Sequence, residues 1–137
     1  MEKHFVTYDQ ALDLKDLGFK ESCFGEWRQW DGGYPWLQLY QDLDGCSTDD
    51  SDYQYTTEAL APLKSQVFEW ARDEYGLYHI VHHFEHNKNT PKEFLSEVTG
   101  KVLMGNDDIS GFSYHSTYND GELACIDILI EIIKNLI

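Results

Sequence analysis

The sequence is poor in basic residues, with 10 Lys and Arg against 25 Asp and Glu and a formal net charge of −15. Proteins that bind nucleic acid through its phosphates need a basic face, and no stretch of this chain clusters its basic residues. An anionic membrane surface repels such a chain for the same reason. The composition therefore argues against direct nucleic-acid binding and against membrane binding.

Cysteines are also few. Cys23, Cys46 and Cys125 are odd in number and include no C-x-x-C pair, a pattern typical of free thiols in a reducing compartment. The start of the chain, Met1–His4, has no apolar segment of the kind found in signal peptides. The longest apolar run, near the C-terminus, is interrupted by charged residues and is not a membrane span. We therefore expect a cytoplasmic protein.

Catalytic and cofactor motifs are missing as well. No serine lies in a G-x-S-x-G elbow, and no glycine-rich phosphate loop is present. The acidic segment after Asp42 does not match an EF-hand, because the motif needs a glutamate where the chain has Ser51. An active site can still assemble from distant residues, but the sequence singles out no catalytic residue, no metal ligand and no cofactor.

What the sequence does contain is aromatic and amphipathic segments. Aromatic residues make up 15% and hydrophobic residues 42% of its 137 residues, as in folded globular proteins. This length favours one domain over residues 1–137.

Three main helices are predicted. The clearest is Ala61–Gly76, with proline at its first helical position, an apolar residue at every fourth position and glycine at its end. Tyr8–Leu17 follows the capping box Thr7–Gln10. Gly121–Leu136, capped by Asp120, is apolar around most of its circumference. Such a helix is either deeply buried or shared with a partner, so we expect a homodimer through it as one arrangement.

The remaining segments predict an antiparallel sheet. A short helix is predicted over Pro91–Val98, after a second capping box, and Asp42–Thr57 is predicted as a long acidic loop. The fold class expected is α+β, a two-layer sandwich in which an antiparallel sheet of about four to five strands carries helices on one face. The predicted strands are Cys23–Trp30, Trp36–Gln41, Leu77–His86, Lys101–Met104 and Ile109–His115.

The first hairpin carries the candidate interaction residues. If its D-G-G-Y turn closes symmetrically, Gln29 faces Trp36, and Trp27, Trp36 and Tyr40 share one face. Such rings can stack on a sugar, a base or a partner's side chain, although cross-strand aromatic pairs also stabilise a hairpin by themselves. If these rings form an exposed patch, protein contact is their best use.

A group of four histidines is the other candidate. His79, His82, His83 and His86 have a spacing that places all four on one face of a helix, where they can bind Zn²⁺ or Ni²⁺. Their β-branched and aromatic neighbours favour a strand instead, on which His79 and His83 lie on one face and His82 and His86 on the other. We therefore predict strand histidines without a metal site.

Three stretches carry a resemblance. They are T-Y-D-Q-A-L at residues 7–12, A-P-L at 61–63 with the Q-V-F-E-W and R-D-E-Y-G-L segments that follow, and E-L-A-C-I-D at 122–127. These stretches resemble small uncharacterised proteins from phages, prophages and conjugative elements of gut Bacteroidetes. The chain departs from that pattern at Ala71, where relatives usually carry phenylalanine, and at Gly121, where they carry a helix-favouring residue. The resemblance implies a mobile-element origin and no assigned activity.

The function we expect is therefore that of a non-enzymatic accessory protein that binds another protein. One alternative, suggested by the net charge of −15, is an anti-defence decoy that mimics DNA by presenting carboxylates to a DNA-binding protein. The other alternative is a small metal-dependent hydrolase that uses the His79–His86 group.

Overall fold

The computed structural model describes residues 2–31, 33–40, 55–84, 93–101 and 108–137. A short 3-10 turn, Glu2–His4, comes first. The helices are α1 (Tyr8–Asp16), α2 (Lys64–Tyr75) and α3 (Tyr118–Leu136). The strands are β1 (Gly25–Trp30), β2 (Pro35–Leu39), β3 (Tyr55–Leu60), β4 (Leu77–Phe84), β5 (Glu93–Lys101) and β6 (Asp108–His115). No helix in these ranges is long and apolar enough to cross a membrane.

The class is α+β, as predicted, but the strands form two three-stranded antiparallel sheets, ordered β2–β1–β3 and β4–β5–β6. The prediction of a single sheet of four to five strands is therefore wrong. Two strands that the sequence analysis missed explain the difference: β3 pairs with β1, and β5 pairs with both β4 and β6. The chain divides into two compact units, Met1–Leu63 and Lys64–Ile137, and the single domain stays a prediction.

Helix α1 in the first unit has the ends that its sequence predicts. The Thr7 hydroxyl accepts from the backbone N–H of Gln10 at 3.2 Å, and the Gln10 side chain accepts from the Thr7 N–H at 3.1 Å. At the other end Gly18 has φ = 91°, a left-handed conformation that glycine adopts without strain. The Phe19 N–H then donates to the Leu14 carbonyl at 2.9 Å, which completes a Schellman motif.

Strand β3 corrects the predicted loop Asp42–Thr57. Residues 41–54 lie outside the described part of the chain, but the loop's last residues belong to β3. The signal was present, because Tyr55–Leu60 combines β-branched residues with a tyrosine. Glu58 is an extra residue between the Arg28–Thr57 and Trp27–Ala59 pairs, which makes it a β-bulge.

Helix α2 begins later than predicted. The carbonyl of Pro62 accepts from the Val6 N–H at 3.1 Å, and Leu63 forms an isolated bridge with Phe5. Pro62 therefore belongs to an extended segment that pairs with the start of the chain, not to the first helical turn. The end is as predicted, since Gly76 has φ = 64°.

Helix α3 begins at Tyr118 with Thr117 as its cap, not at Gly121 with Asp120. The Thr117 hydroxyl accepts from the Asp120 N–H at 3.1 Å, so Asp120 sits inside the first turn. The buried Lys64 ammonium at the start of α2 donates to the Asn119 side chain and lies 3.4 Å from Glu122 Oε1. These contacts hold the start of α3 against α2.

The core of the second unit lies between these two helices and the sheet β4–β5–β6. Helix α3 contacts all three strands and α2, which accounts for much of its apolar circumference. Homodimerisation through α3 stays a prediction. The buried side chains of this core include Val67, Ala71, Leu77, Val98, Cys125, Ile126, Leu129 and Ile133.

Strand β5 replaces the predicted helix Pro91–Val98. Its residues alternate, so that Phe94, Ser96 and Val98 face the helices while Leu95 and Glu97 face away. Apolar residues at positions 94, 95 and 98 also fit a helical period. A short apolar run of this kind does not distinguish a helix from a strand. Residues 90–92 of the predicted capping box and residues 102–104 of the predicted strand Lys101–Met104 lie outside the described residues, whereas Glu93 begins β5 and Lys101 ends it.

Candidate interaction surface

The sheet β4–β5–β6 has one face toward the helices and one face away from them. Residues paired across an antiparallel sheet share a face. Ile80, Glu97 and Phe112 therefore form one row, and His82, Leu95 and Tyr114 form the next. We call the face that these rows share the outer aromatic face. Its members with described side chains are Tyr78, Ile80, His82, Glu93, Leu95, Glu97, Thr99, Phe112 and Tyr114.

Large apolar side chains on this face are unusually open to solvent. Phe112 is 70% exposed, Tyr114 60%, Tyr78 56% and Ile80 48%. Single exposed apolar residues are normal on protein surfaces, whereas a contiguous group of them marks an interaction site. These four share one face of the sheet and lie on both sides of Leu95 and Glu97, which belong to the middle strand.

A polar pair lies at the centre of the outer aromatic face. His82 Nε2 is 2.9 Å from Glu97 Oε2, and both side chains are more than one third exposed. Glu97 belongs to the middle strand of the three, so apolar neighbours surround its carboxylate. The imidazole fixes one carboxylate oxygen in place. Within the described ranges the Glu97 side chain has no second hydrogen-bond partner.

The other two described members of the group of four histidines, His79 and His83, lie on the helix side of the sheet. The His79 ring stacks on the Phe68 ring with centroids 3.4 Å apart and planes at 8°. Burial in this contact lowers the pKa of His79 from its usual value. The His83 ring stacks on Phe94 with a centroid distance of 5.0 Å. Both rings therefore serve packing.

The strand prediction for this segment is confirmed by β4, and the histidines separate as that prediction requires: His79 and His83 lie on one face and His82 on the other. His86 lies outside the described residues. Among the residues with described side chains, no group of three or more His, Cys, Asp and Glu is arranged to hold a metal ion.

The structure does not bring Trp27, Trp36 and Tyr40 onto one face. Gln29 pairs with Pro35 and Arg28 with Trp36, a register one residue away from the predicted one. Because side chains alternate along a strand, this shift moves every side chain of β2 to the opposite face. The shift arises because five residues lie between the paired Gln29 and Pro35, whereas the predicted turn has four.

The three rings consequently have different surroundings. Trp27 is buried and meets Tyr8 edge-on at 5.9 Å. Trp36 stacks on Trp30 across the strands with ring centroids 4.7 Å apart, which is a hairpin-stabilising contact of the kind that the sequence analysis set beside binding. Tyr40 is partly exposed, and burial together with the neighbouring Glu26 raises the pKa of its phenol. Their role in binding stays a prediction.

A cavity of about 290 Å³ lies in the first unit, between α1 and β3. Leu14, Phe19 and Leu60 are among its apolar lining residues. Lys15 lies at its wall, where its ammonium donates to the Glu58 carbonyl at 2.9 Å. Lys15, Thr57 and Glu58 are its polar lining residues and the rest of the lining is apolar, so it offers few groups to orient a ligand and is a weaker candidate than the outer aromatic face.

Sequence reasoning missed the outer aromatic face because it placed Glu97 on a helix. A signal was nevertheless present, since Phe112 and Tyr114 alternate on β6 as Tyr78 and Ile80 do on β4. Apolar residues at alternate positions of two strands in one sheet predict a shared face. The shared face was not predicted because the middle strand, β5, was assigned as a helix.

Comparisons with known proteins add no further constraint: no family model matches the chain, and no curated protein and no solved structure is found to be similar.

Proposed function

We propose that this protein is a non-enzymatic accessory protein of a mobile element, and that it acts by binding another protein through the outer aromatic face. The exposure of Phe112, Tyr114, Tyr78 and Ile80 on one sheet is the observation that carries this proposal. Tyrosine is enriched among the residues that dominate protein interfaces. The mobile-element origin rests on the sequence resemblance alone.

The contact has a useful size. An aromatic side chain buries about 150–250 Å² when it is fully covered, so the three half-exposed rings together with Ile80 offer about 400 Å² of apolar surface. At about 25 cal/mol per Å² this is worth about 10 kcal/mol before association costs of about 4–15 kcal/mol. Such a surface supports a specific contact when polar groups at its centre and rim add to it.

The two alternatives gain no specific support. A DNA-mimicking decoy needs its acidic groups along one elongated surface, and a hydrolase needs its histidines to converge. The described acidic residues are distributed over all three helices and several strands, and the described members of the histidine group, His79, His82 and His83, lie on two faces of one sheet. Both alternatives therefore stay predictions.

The test compares affinity capture by three forms of the protein from a lysate of the native host. The face variant carries Phe112→Thr and Tyr114→Thr, which remove two rings and keep β-branched residues that suit a strand. The control variant carries Tyr34→Thr, at a tyrosine that is 92% exposed in the first unit. Circular dichroism checks that all three forms are folded.

We expect the wild type and the Tyr34→Thr control to retain the same proteins, and the face variant to lose them. Removing two exposed rings takes away about half of the exposed apolar surface of this face, which is worth about 5 kcal/mol at about 25 cal/mol per Å². Equal recovery by all three forms would show that the outer aromatic face is not the contact surface.

A further inference from the structure

We infer that the outer aromatic face recognises arginine side chains on its partner, with Glu97 as the acceptor and the surrounding rings as stacking surfaces. This inference rests on the proposed function, because it assigns a partner chemistry to the same face.

The position of Glu97 is the first reason. Its cross-strand neighbours are Ile80 on one side and Phe112 on the other. Tyr78 and Tyr114 occupy diagonal positions on the same face, close enough for long side chains to reach. A carboxylate is thus placed among exposed rings, on which an incoming guanidinium can stack while it donates to the carboxylate.

The available hydrogen-bonding capacity is the second reason. His82 occupies Glu97 Oε2, and an ionised carboxylate accepts at both oxygens. None of the outer-face residues with described side chains is Lys or Arg. The face therefore presents an acceptor that an incoming donor can use, while its own histidine holds the carboxylate in position.

The rings decide between the two cationic side chains. A guanidinium is planar, weakly hydrated and able to stack on an aromatic ring while it donates to a carboxylate. An ammonium is compact and strongly hydrated, and it loses more on entering an apolar surface. Phe112 and Tyr114, the two most exposed of these rings, are paired with Glu97 and with its neighbour Leu95. The arrangement favours arginine over lysine.

The overall charge is the third reason. At −15 the chain attracts a cationic partner and repels a second copy of itself. A second copy also brings another Glu97 to the same surface instead of a cation. Charge complementarity therefore points to a basic partner, not to self-association through this face.

The test uses calorimetric titration with three peptides at about 0.15 M salt, where long-range attraction is largely screened. The probe is acetyl-Gly-Arg-Gly-Arg-Gly-Arg-Gly-amide. The second peptide has lysine and the third has citrulline in place of arginine. Citrulline keeps the planar shape without the charge. The protein variants are Glu97→Gln and the control Glu74→Gln, which removes an equal charge from an exposed position on α2.

We expect the arginine peptide to bind the wild type about tenfold more tightly than the citrulline peptide, with the lysine peptide between them. Glu97→Gln weakens arginine binding about tenfold, whereas Glu74→Gln changes it less than about twofold. The inference is overturned if the wild type does not bind the arginine peptide, if citrulline binds equally well, or if the two glutamate variants behave alike.

These outcomes separate the inference from the proposed function. If the Phe112→Thr and Tyr114→Thr variant loses the captured proteins but the wild type shows no preference for the arginine peptide, the outer aromatic face is still the contact surface and the inference about arginine is wrong. If arginine binding depends on Glu97 but the face variant captures the same proteins as the wild type, the proposed function is wrong and the arginine preference stands.

Discussion

Replacing Gly121 with alanine sets two well-known effects against each other. In a helix interior alanine is favoured over glycine by about 0.8–1.0 kcal/mol, so Gly121→Ala considered as a helix substitution stabilises the protein. In the structure, however, a Cβ on Gly121 lies 3.0 Å from Val81 Cγ1 and 3.2 Å from Ser96 Oγ. Normal contacts between carbon atoms are about 3.5–4.0 Å, so the Val81 side chain, the Ser96 side chain or the helix has to shift.

The packing effect is the larger one. Adding a methyl group to a filled core costs about 1–3 kcal/mol. The fully buried Ser96 hydroxyl also donates to the Gly121 carbonyl at 2.6 Å, and a shift of α3 puts at risk a hydrogen bond worth about 0.5–1.5 kcal/mol. After the gain in helix propensity, we expect Gly121→Ala to lower the free energy of unfolding by about 1–2 kcal/mol.

Urea denaturation followed by circular dichroism measures this loss, and hydrogen exchange of the α3 amides assigns it to the second unit. Val81→Ala is the matched background, because it removes the methyl group that the new Cβ meets most closely. In that background Gly121→Ala should be neutral or stabilising. A gain of about 1 kcal/mol from Gly121→Ala in the wild type would refute the close approach of α3 to the sheet.

Three further predictions concern other sites. Thr7→Ala removes the cap of α1 and should cost about 1 kcal/mol in urea denaturation; an unchanged midpoint would contradict the capping box. Burial lowers the pKa of His79, so as pH falls from about 6.5 the unfolded chain takes up a proton that the folded chain does not, and stability decreases. The wild type should therefore lose stability relative to His79→Gln between about pH 7.5 and 5.5, by less than about 1.4 kcal/mol per pH unit; a constant difference argues against burial of the ring. Burial raises the pKa of Cys23 to about 11, so alkylation by iodoacetamide at about pH 8 should be roughly a hundredfold slower than for an ordinary thiol. Peptide mapping measures the alkylation rate as a function of pH. If the pKa of Cys23 were near its usual value, the rate would level off near pH 9, and this result would contradict the prediction.

Local signals in the sequence predicted those parts of the fold that depend on local chemistry. The ends of α1 follow from Thr7, Gln10 and Gly18, because each acts within a few residues of itself. Strand β4 follows from the alternation and β-branched content of its segment, and this was enough to place His79 and His82 on opposite faces.

Most of the errors concern how strands pair, and the cap of α3, which is Thr117 and not Asp120, is a local one. β5 reads as a helix in isolation, and only the bonds to β4 and β6 make it the middle strand. The faces of Trp27 and Trp36 depend on a hairpin register that one additional loop residue reverses. The candidate surface was missed for the same reason, since Glu97 joins Phe112 on one face only when β5 is a strand.

The sequence by itself determined the charge, the α+β class, both ends of α1, the end of α2 and the strand that carries the histidines, because these follow from composition and from contacts a few residues long. Only the tertiary structure decided the division into two sheets, the register of the first hairpin, the close packing of Gly121 against Val81 and Ser96, and the group of rings around Glu97. Each of these depends on which distant segments pair, and that choice is made by the total burial and hydrogen bonding of each unit, which no local segment contains.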